Sequence, residues 1–181
     1  MKITIIQQAL TLGATYNISY AGRKLIAKRR WFSFLSIIDL YDKEEVIVSI
    51  KRKFSLIRAK YFIWTKHNQF LFYSKTLWKP TYECIGQDEQ YEIITHRGVK
   101  HSIFHNNSQI GAITKSIITF GRHGGYEILV NKKSNHYIII AIALILDNHL
   151  NEDSCLSFIN IDFGNIGSET KSFNNDWKPQ C

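Results

Sequence analysis

Proline is nearly missing from this sequence: Pro80 and Pro179 are the only two among 181 residues. Taken with 45% hydrophobic and 13% aromatic residues, that scarcity excludes a disordered chain, because there is ample apolar surface to bury. Cysteine is scarce as well. Cys84, Cys155 and Cys181 are odd in number and widely spaced, which fits neither a disulfide framework nor a Cys-x-x-Cys site. Free thiols in a reducing cytoplasm are the expectation. The longest apolar run, Tyr137 to Leu146, is ten residues, about half of what a membrane-spanning helix needs. The first ten residues are broken by Thr4, Gln7 and Gln8 and lack the continuous apolar core of a signal peptide. The chain is therefore expected in the cytoplasm, with any membrane contact peripheral.

Chemical signatures are missing too. There is no Gly-x-Ser-x-Gly elbow, no His-Glu-x-x-His and no phosphate-binding glycine loop; Gly121-Arg-His-Gly-Gly125 lacks the Lys-Ser/Thr of a P-loop and reads as a hairpin turn. His96, His101 and His105 are the closest histidines, but strand parity sends His96 to one face and the other two to the opposite one, with no further ligand at metal spacing. Glu83, Asp88, Glu89, Glu92 and Glu127 are scattered, and whether any pair across strands is not decided by spacing. No catalytic residue, no metal and no cofactor is expected.

What the sequence does contain is about a dozen short runs rich in Ile, Val, Phe, Tyr and Thr, separated by Gly, Asn, Asp and Lys clusters. That is the punctuation of antiparallel strands and hairpins. The first expected strand is Tyr16–Tyr20 and the twelfth Ser154–Asp162. The exception is the stretch Asn135 to Leu150. Ile138 to Leu146 is apolar without period, so a helix there is hydrophobic all round and has to be enclosed. A strand is the rival reading, favoured by the isoleucines; Ala141, Ala143, Leu144 and Leu146 favour helix, Asn135 is its candidate cap, and Asp147-Asn148-His149 is its candidate stop. The expected fold is mainly β: a closed antiparallel barrel of about twelve strands around a central hydrophobic C-terminal helix, which also removes exposed strand edges. One domain, residues 1–159, includes the core helix at about 136–149. Residues 160–181 form a polar C-terminal extension.

Charge is the one regional asymmetry. From Arg23 to Lys79 there are fourteen Lys or Arg against Asp39, Asp42, Glu44 and Glu45, a balance of 14 − 4 = +10 against +8 for the whole chain. Arg23, Lys24, Lys28, Arg29 and Arg30 form one group; Lys51, Arg52, Lys53, Arg58 and Lys60 form another. Strand alternation sends Lys51 and Lys53 to one face and Arg52 to the other. Trp31, Phe32, Phe34, Tyr61 and Trp64 lie beside these groups. Basic and aromatic residues on a sheet also suit single-stranded nucleic acid, but no RNP or KH signature accompanies them, and barrel aromatics more often fill a core.

Three stretches, Ser49-Ile-Lys-Arg-Lys-Phe-Ser-Leu-Ile-Arg-Ala-Lys-Tyr61, Gln109 to Lys115 followed by Tyr126 to Val130, and the apolar run ending in Asp147, resemble the superfamily of tubby C-terminal domains, phospholipid scramblases and LURP-one-related proteins, in particular its bacterial LURP-one-like members. The resemblance spans roughly Tyr16 to Asp153. It implies a twelve-stranded barrel around a hydrophobic helix, and, from the tubby branch, phosphoinositide binding at a basic surface. Scramblase activity is not carried over: there is no cysteine cluster, and Asp147-Asn-His-Leu-Asn-Glu-Asp153 lacks the mid-loop glycine of a calcium loop, with Phe158 where its last glutamate belongs.

The leading expectation is a non-catalytic domain that binds an anionic membrane surface or a phosphorylated ligand through some of Lys28, Arg30, Lys51, Lys53, Arg58 and Lys60. The alternative is a structural or protein-interaction module, its protein partner unspecified, whose charge serves solubility or an acidic partner. Single-stranded nucleic-acid binding ranks below both.

Overall fold

The computed structural model describes residues 1–10, 13–30, 36–53, 60–76, 81–117, 124–156 and 172–180. Among these, twelve strands and one helix follow in chain order: β1 (Lys2–Leu10), β2 (Gly13–Tyr20), β3 (Arg23–Arg30), β4 (Ile37–Asp42), β5 (Glu45–Lys53), β6 (Lys60–Thr65), β7 (Gln69–Ser74), β8 (Thr81–Ile85), β9 (Gln90–His96), β10 (Lys100–His105), β11 (Ser108–Ile117), β12 (Gly124–Val130) and α1 (His136–Leu156). Each strand pairs antiparallel with its sequence neighbour, and β1 pairs β12 to close the barrel.

Closure corrects two expectations. Lys2–Leu10 is a strand, with Ile3 and Ile5 in the core; its Ile-Thr-Ile-Ile run is β-branched as strands favour. Of the expected twelfth strand, Ser154–Asp162, residues 154–156 belong instead to α1, and 157–162 lie outside the described residues.

The enclosed helix is as expected. All nine residues from Ile138 to Leu146 are at most 2% exposed, surrounded by inward residues such as Ile18, Leu40, Ile63, Phe72, Ile93 and Ile128. Asn135 caps it, its Oδ1 accepting from the Ile138 amide at 3.5 Å. No helix among the described residues is long and apolar enough to cross a membrane.

The helix does not stop at Asp147-Asn148. Both side chains are buried, and the barrel supplies their partners. Tyr16 and Tyr126 donate their hydroxyls to the two Asp147 oxygens at 2.8 Å each. Arg29 Nη1 donates to Asn148 Oδ1 at 2.7 Å, and Asn148 Nδ2 donates to Tyr61 Oη at 3.4 Å. With their side chains so engaged, these residues no longer compete for the backbone, which is the reason they end helices elsewhere. The candidate calcium stretch is accordingly helical backbone, not a loop.

Several hairpins turn through left-handed residues: Ala21-Gly22, Asn106-Asn107 and Gly98-Val99. Asn and Gly tolerate that region; Val99, at φ 55°, is β-branched and strained there. Val99→Asn is expected to raise stability by about 1 kcal/mol, which for this chain length means a melting temperature higher by about 2–4 °C in a thermal scan. An unchanged or lower value counts against the strain.

Candidate anion-binding face

Alternation along β3 splits the first basic group. Leu25 and Ala27 are buried, so Arg29 points inward to Asn148, while Lys24, Lys28 and Arg30 point out. In β5, Val48 and Ile50 face the core with Arg52, and Lys51 and Lys53 are exposed. In β6, Tyr61 and Ile63 are core, which places Lys60, Phe62 and Trp64 outside.

Pairing brings the outward residues together. Lys28 lies opposite Asp39, Asp39 opposite Ser49, Lys51 opposite Phe62 and Lys53 opposite Lys60. Lys28, Arg30, Lys51, Lys53 and Lys60 therefore share one exterior face of four consecutive strands, at the end of the barrel marked by the last residues of β3 and β5. Arg58, the sixth expected residue, lies outside the described residues.

Their chemistry differs. Arg30 forms an ion pair with Asp39 at 2.5 Å. Asp39 is 4% exposed and also accepts from Ser49 Oγ at 2.6 Å. Arg30 is thus held in place by a neutralising partner. Lys28 and Lys53 rest their ammonium groups over the rings of Tyr41 and Phe62, at 5.3 and 5.7 Å from the centroids, a contact that holds a cation without neutralising it. Among the described residues no carboxylate reaches Lys51, Lys53 or Lys60 within 4.0 Å. Lys53 and Lys60 are direct cross-strand neighbours, an arrangement of like charges that costs stability.

The edge of the face is acidic. Glu83 and Glu92 are register partners, and Lys75 bridges them at 2.8 and 3.3 Å. Tyr73 donates its hydroxyl to Glu83. Hydrogen bonds from Lys75 and Tyr73 hold the Glu83 carboxyl below its usual range. These carboxylates do pair across strands, joined through Lys75 in a salt-bridged network. Of the histidines, His96 faces out and meets Ser102 Oγ at 2.9 Å, whereas His101 faces in and meets Thr95 Oγ1 at 2.9 Å.

Phe62 and Tyr41 are the contributors that the sequence reading missed. The signal was available: position 62 alternates with core Tyr61 and Ile63 and lies next to a lysine-rich strand. Trp64, 36% exposed, is an exterior aromatic and not a core one; Trp31, Phe32 and Phe34 lie outside the described residues. Lysines alternating with half-buried aromatics on the outside of a closed sheet make a cationic, amphipathic and convex surface. In class the molecule is a twelve-stranded antiparallel barrel with an enclosed helix. No protein-family model, curated protein or solved structure matches the chain.

Proposed function

We propose that this is a non-catalytic, tubby-like domain that binds anionic lipid headgroups at a membrane surface through Lys28, Lys51, Lys53 and Lys60, with Arg30 anchored beside them. One observation carries the reading: Lys53 and Lys60 face each other across β5 and β6 with Lys51 adjacent and no carboxylate among the described residues to neutralise them. Uncompensated like charge costs stability, and an anion placed over it recovers that cost. A convex exterior suits an extended anionic surface better than a small phosphorylated molecule, which is usually held in a concave site. Phe62 and Trp64 supply rings of the kind that settle at a membrane interface.

Each lysine near an anionic surface is worth about 1 kcal/mol. Lys51→Gln with Lys53→Gln is expected to weaken co-sedimentation with phosphatidylserine-containing vesicles by about 2 kcal/mol, roughly 30-fold, and added salt is expected to weaken the wild type likewise. Lys60→Glu separates function from folding: it places a carboxylate opposite Lys53, so stability holds or rises while vesicle binding falls. Indifference of the folded wild type to anionic lipid at low salt overturns the reading.

A further inference from the structure

One lateral row on the outside of the barrel does not look like an outside. Thr81, Ile94, Ser102 and Ala112 are register neighbours across β8, β9, β10 and β11, and each points away from the core, because Tyr82, Ile93, Ile103 and Ile113 beside them point in. Yet none of the four is more than 6% exposed, and His96, outward and two residues beyond Ile94, is equally covered. The row carries no Lys, Arg, Asp or Glu, unlike the face around Lys51 and Lys53 half a turn around the barrel.

The described C-terminal residues meet the barrel beside this row, at His96 and Lys100, and again at Asn131 and Lys132. The Phe173 ring stands edge-on to the His96 ring at 5.2 Å and under the Lys100 ammonium at 5.0 Å. Lys100 Nζ also donates to Asn175 Oδ1 at 3.3 Å. At the far end the Gln180 amide donates to Asn131 Oδ1 at 2.6 Å, and the Lys132 amide donates to the Gln180 carbonyl at 3.3 Å. The segment is therefore tied near the β9–β10 turn and again just beyond β12. The turn that presents Lys100 is the one containing left-handed Val99, whose carbonyl is bound by the Lys115 amide at 3.3 Å. Backbone strain that persists beside a clamp is a known companion of ligand-holding sites.

We propose that the exterior of β9–β11 is a peptide-docking face and that its occupant is the chain's own segment Ser172–Gln180, seated reversibly with Phe173 as anchor. The recognition chemistry is explicit: an aromatic ring between an imidazole and an ammonium, a side-chain amide two residues on to accept from that ammonium, and a backbone amide and carbonyl pair some five residues later. Among the described residues its attachments are few and lie outside the closed ladder, so their release does not require the barrel to open. A tethered segment meets its site at an effective concentration of about millimolar, so a competing peptide gains access mainly when the tethered one is weakened.

The test uses the full chain and a fluorescently labelled peptide of residues 172–180. The peptide is expected to bind the Phe173→Ala chain at least tenfold more tightly than wild type, to lose that binding when its own Phe is replaced by Ala, and to lose it again when Lys100→Ala is added to the chain. Equal binding to both chains, or none to a folded Phe173→Ala chain, overturns the proposal. Should that variant not fold, amide hydrogen exchange of the wild type decides: residues 173–180 exchanging far faster than β10 supports a releasable segment, and equal protection overturns it. A wild-type dimer in sedimentation whose dissociation frees the segment assigns the face to a second copy and overturns the intramolecular occupant.

Discussion

Acidification from pH 7 to pH 4 is expected to remove about 3 kcal/mol of folding stability through His101 alone. The ring faces the barrel interior on β10, is 1% exposed, and has Nδ1 2.9 Å from Thr95 Oγ1. Its Nε2 is buried with no hydrogen-bond partner among the described residues. A neutral ring with its proton on Nδ1 donates to Thr95 and leaves Nε2 a bare lone pair; a protonated ring buries a charge with nothing to receive its second N–H. Burial, and secondarily His96 on the other side of the sheet, therefore depress its pKa from 6.5 to about 3. The unfolded chain binds the proton near pH 6.5 and the folded one does not. The stabilisation is complete above about pH 6.5 and is lost progressively as pH falls toward 3. Urea midpoints at pH 7, 5.5 and 4 measure the slope, and His101→Gln, which cannot titrate, is expected to flatten it. A variant as acid-sensitive as wild type refutes the assignment.

Replacing Asp147 by Leu is expected to cost about 3–5 kcal/mol, a large part of the roughly 5–15 kcal/mol that a domain has. The cost arises on the barrel wall. Tyr16 and Tyr126 each lose the acceptor 2.8 Å away, and both phenols are buried. Burial and the Asp147 carboxylate already push their pKa values up, so neither escapes by ionising near neutral pH. The discriminating variant removes the carboxylate and both hydroxyls together. Asp147→Leu with Tyr16→Phe and Tyr126→Phe leaves neither phenol orphaned and is expected to recover most of the loss, since taking away both sides of a buried hydrogen bond is far cheaper than taking one. Urea denaturation of the single and triple variants gives the comparison; a triple variant no more stable than the single one defeats the explanation.

The barrel and its helix were legible because each rests on a pattern that few alternatives satisfy. An apolar run without period has to be enclosed, and short β-branched runs with turn residues between them supply the enclosure. The helix end was misjudged at Asp147-Asn148 because polar residues stop a helix only when their side chains seek nearby backbone, and here distant tyrosines and Arg29 occupy them. Lys2–Leu10 carried a local signal, its β-branched Ile3-Thr4-Ile5-Ile6 run beside the hairpin partner β2; what no local signal reports is its second partner, β12, more than a hundred residues away. The basic face was half legible. Alternation separated Lys51 and Lys53 from Arg52, but the neutralisation of Arg30 by Asp39 and the placing of Lys60 opposite Lys53 depend on register. The covered row from Thr81 to Ala112 had no signature at all: small and neutral residues at outward positions have a meaning only once an occupant lies over them.

The order of elements along the chain also governs how the molecule comes into being. Among the described residues, the helix that fills the barrel is the last regular element made, and the strand that closes the ring, β1, is the first. At synthesis rates of about 5–20 residues per second, β1 and the hairpins after it wait several seconds or more for both β12 and their core. During that interval Ile3, Ile5, Ile18 and the other inward residues have nothing to pack against except one another, and the edges of the growing sheet stay unpaired. This protein is born inside out for a time, and any helper that shields nascent chains meets it as an open, sticky ribbon until its final third emerges.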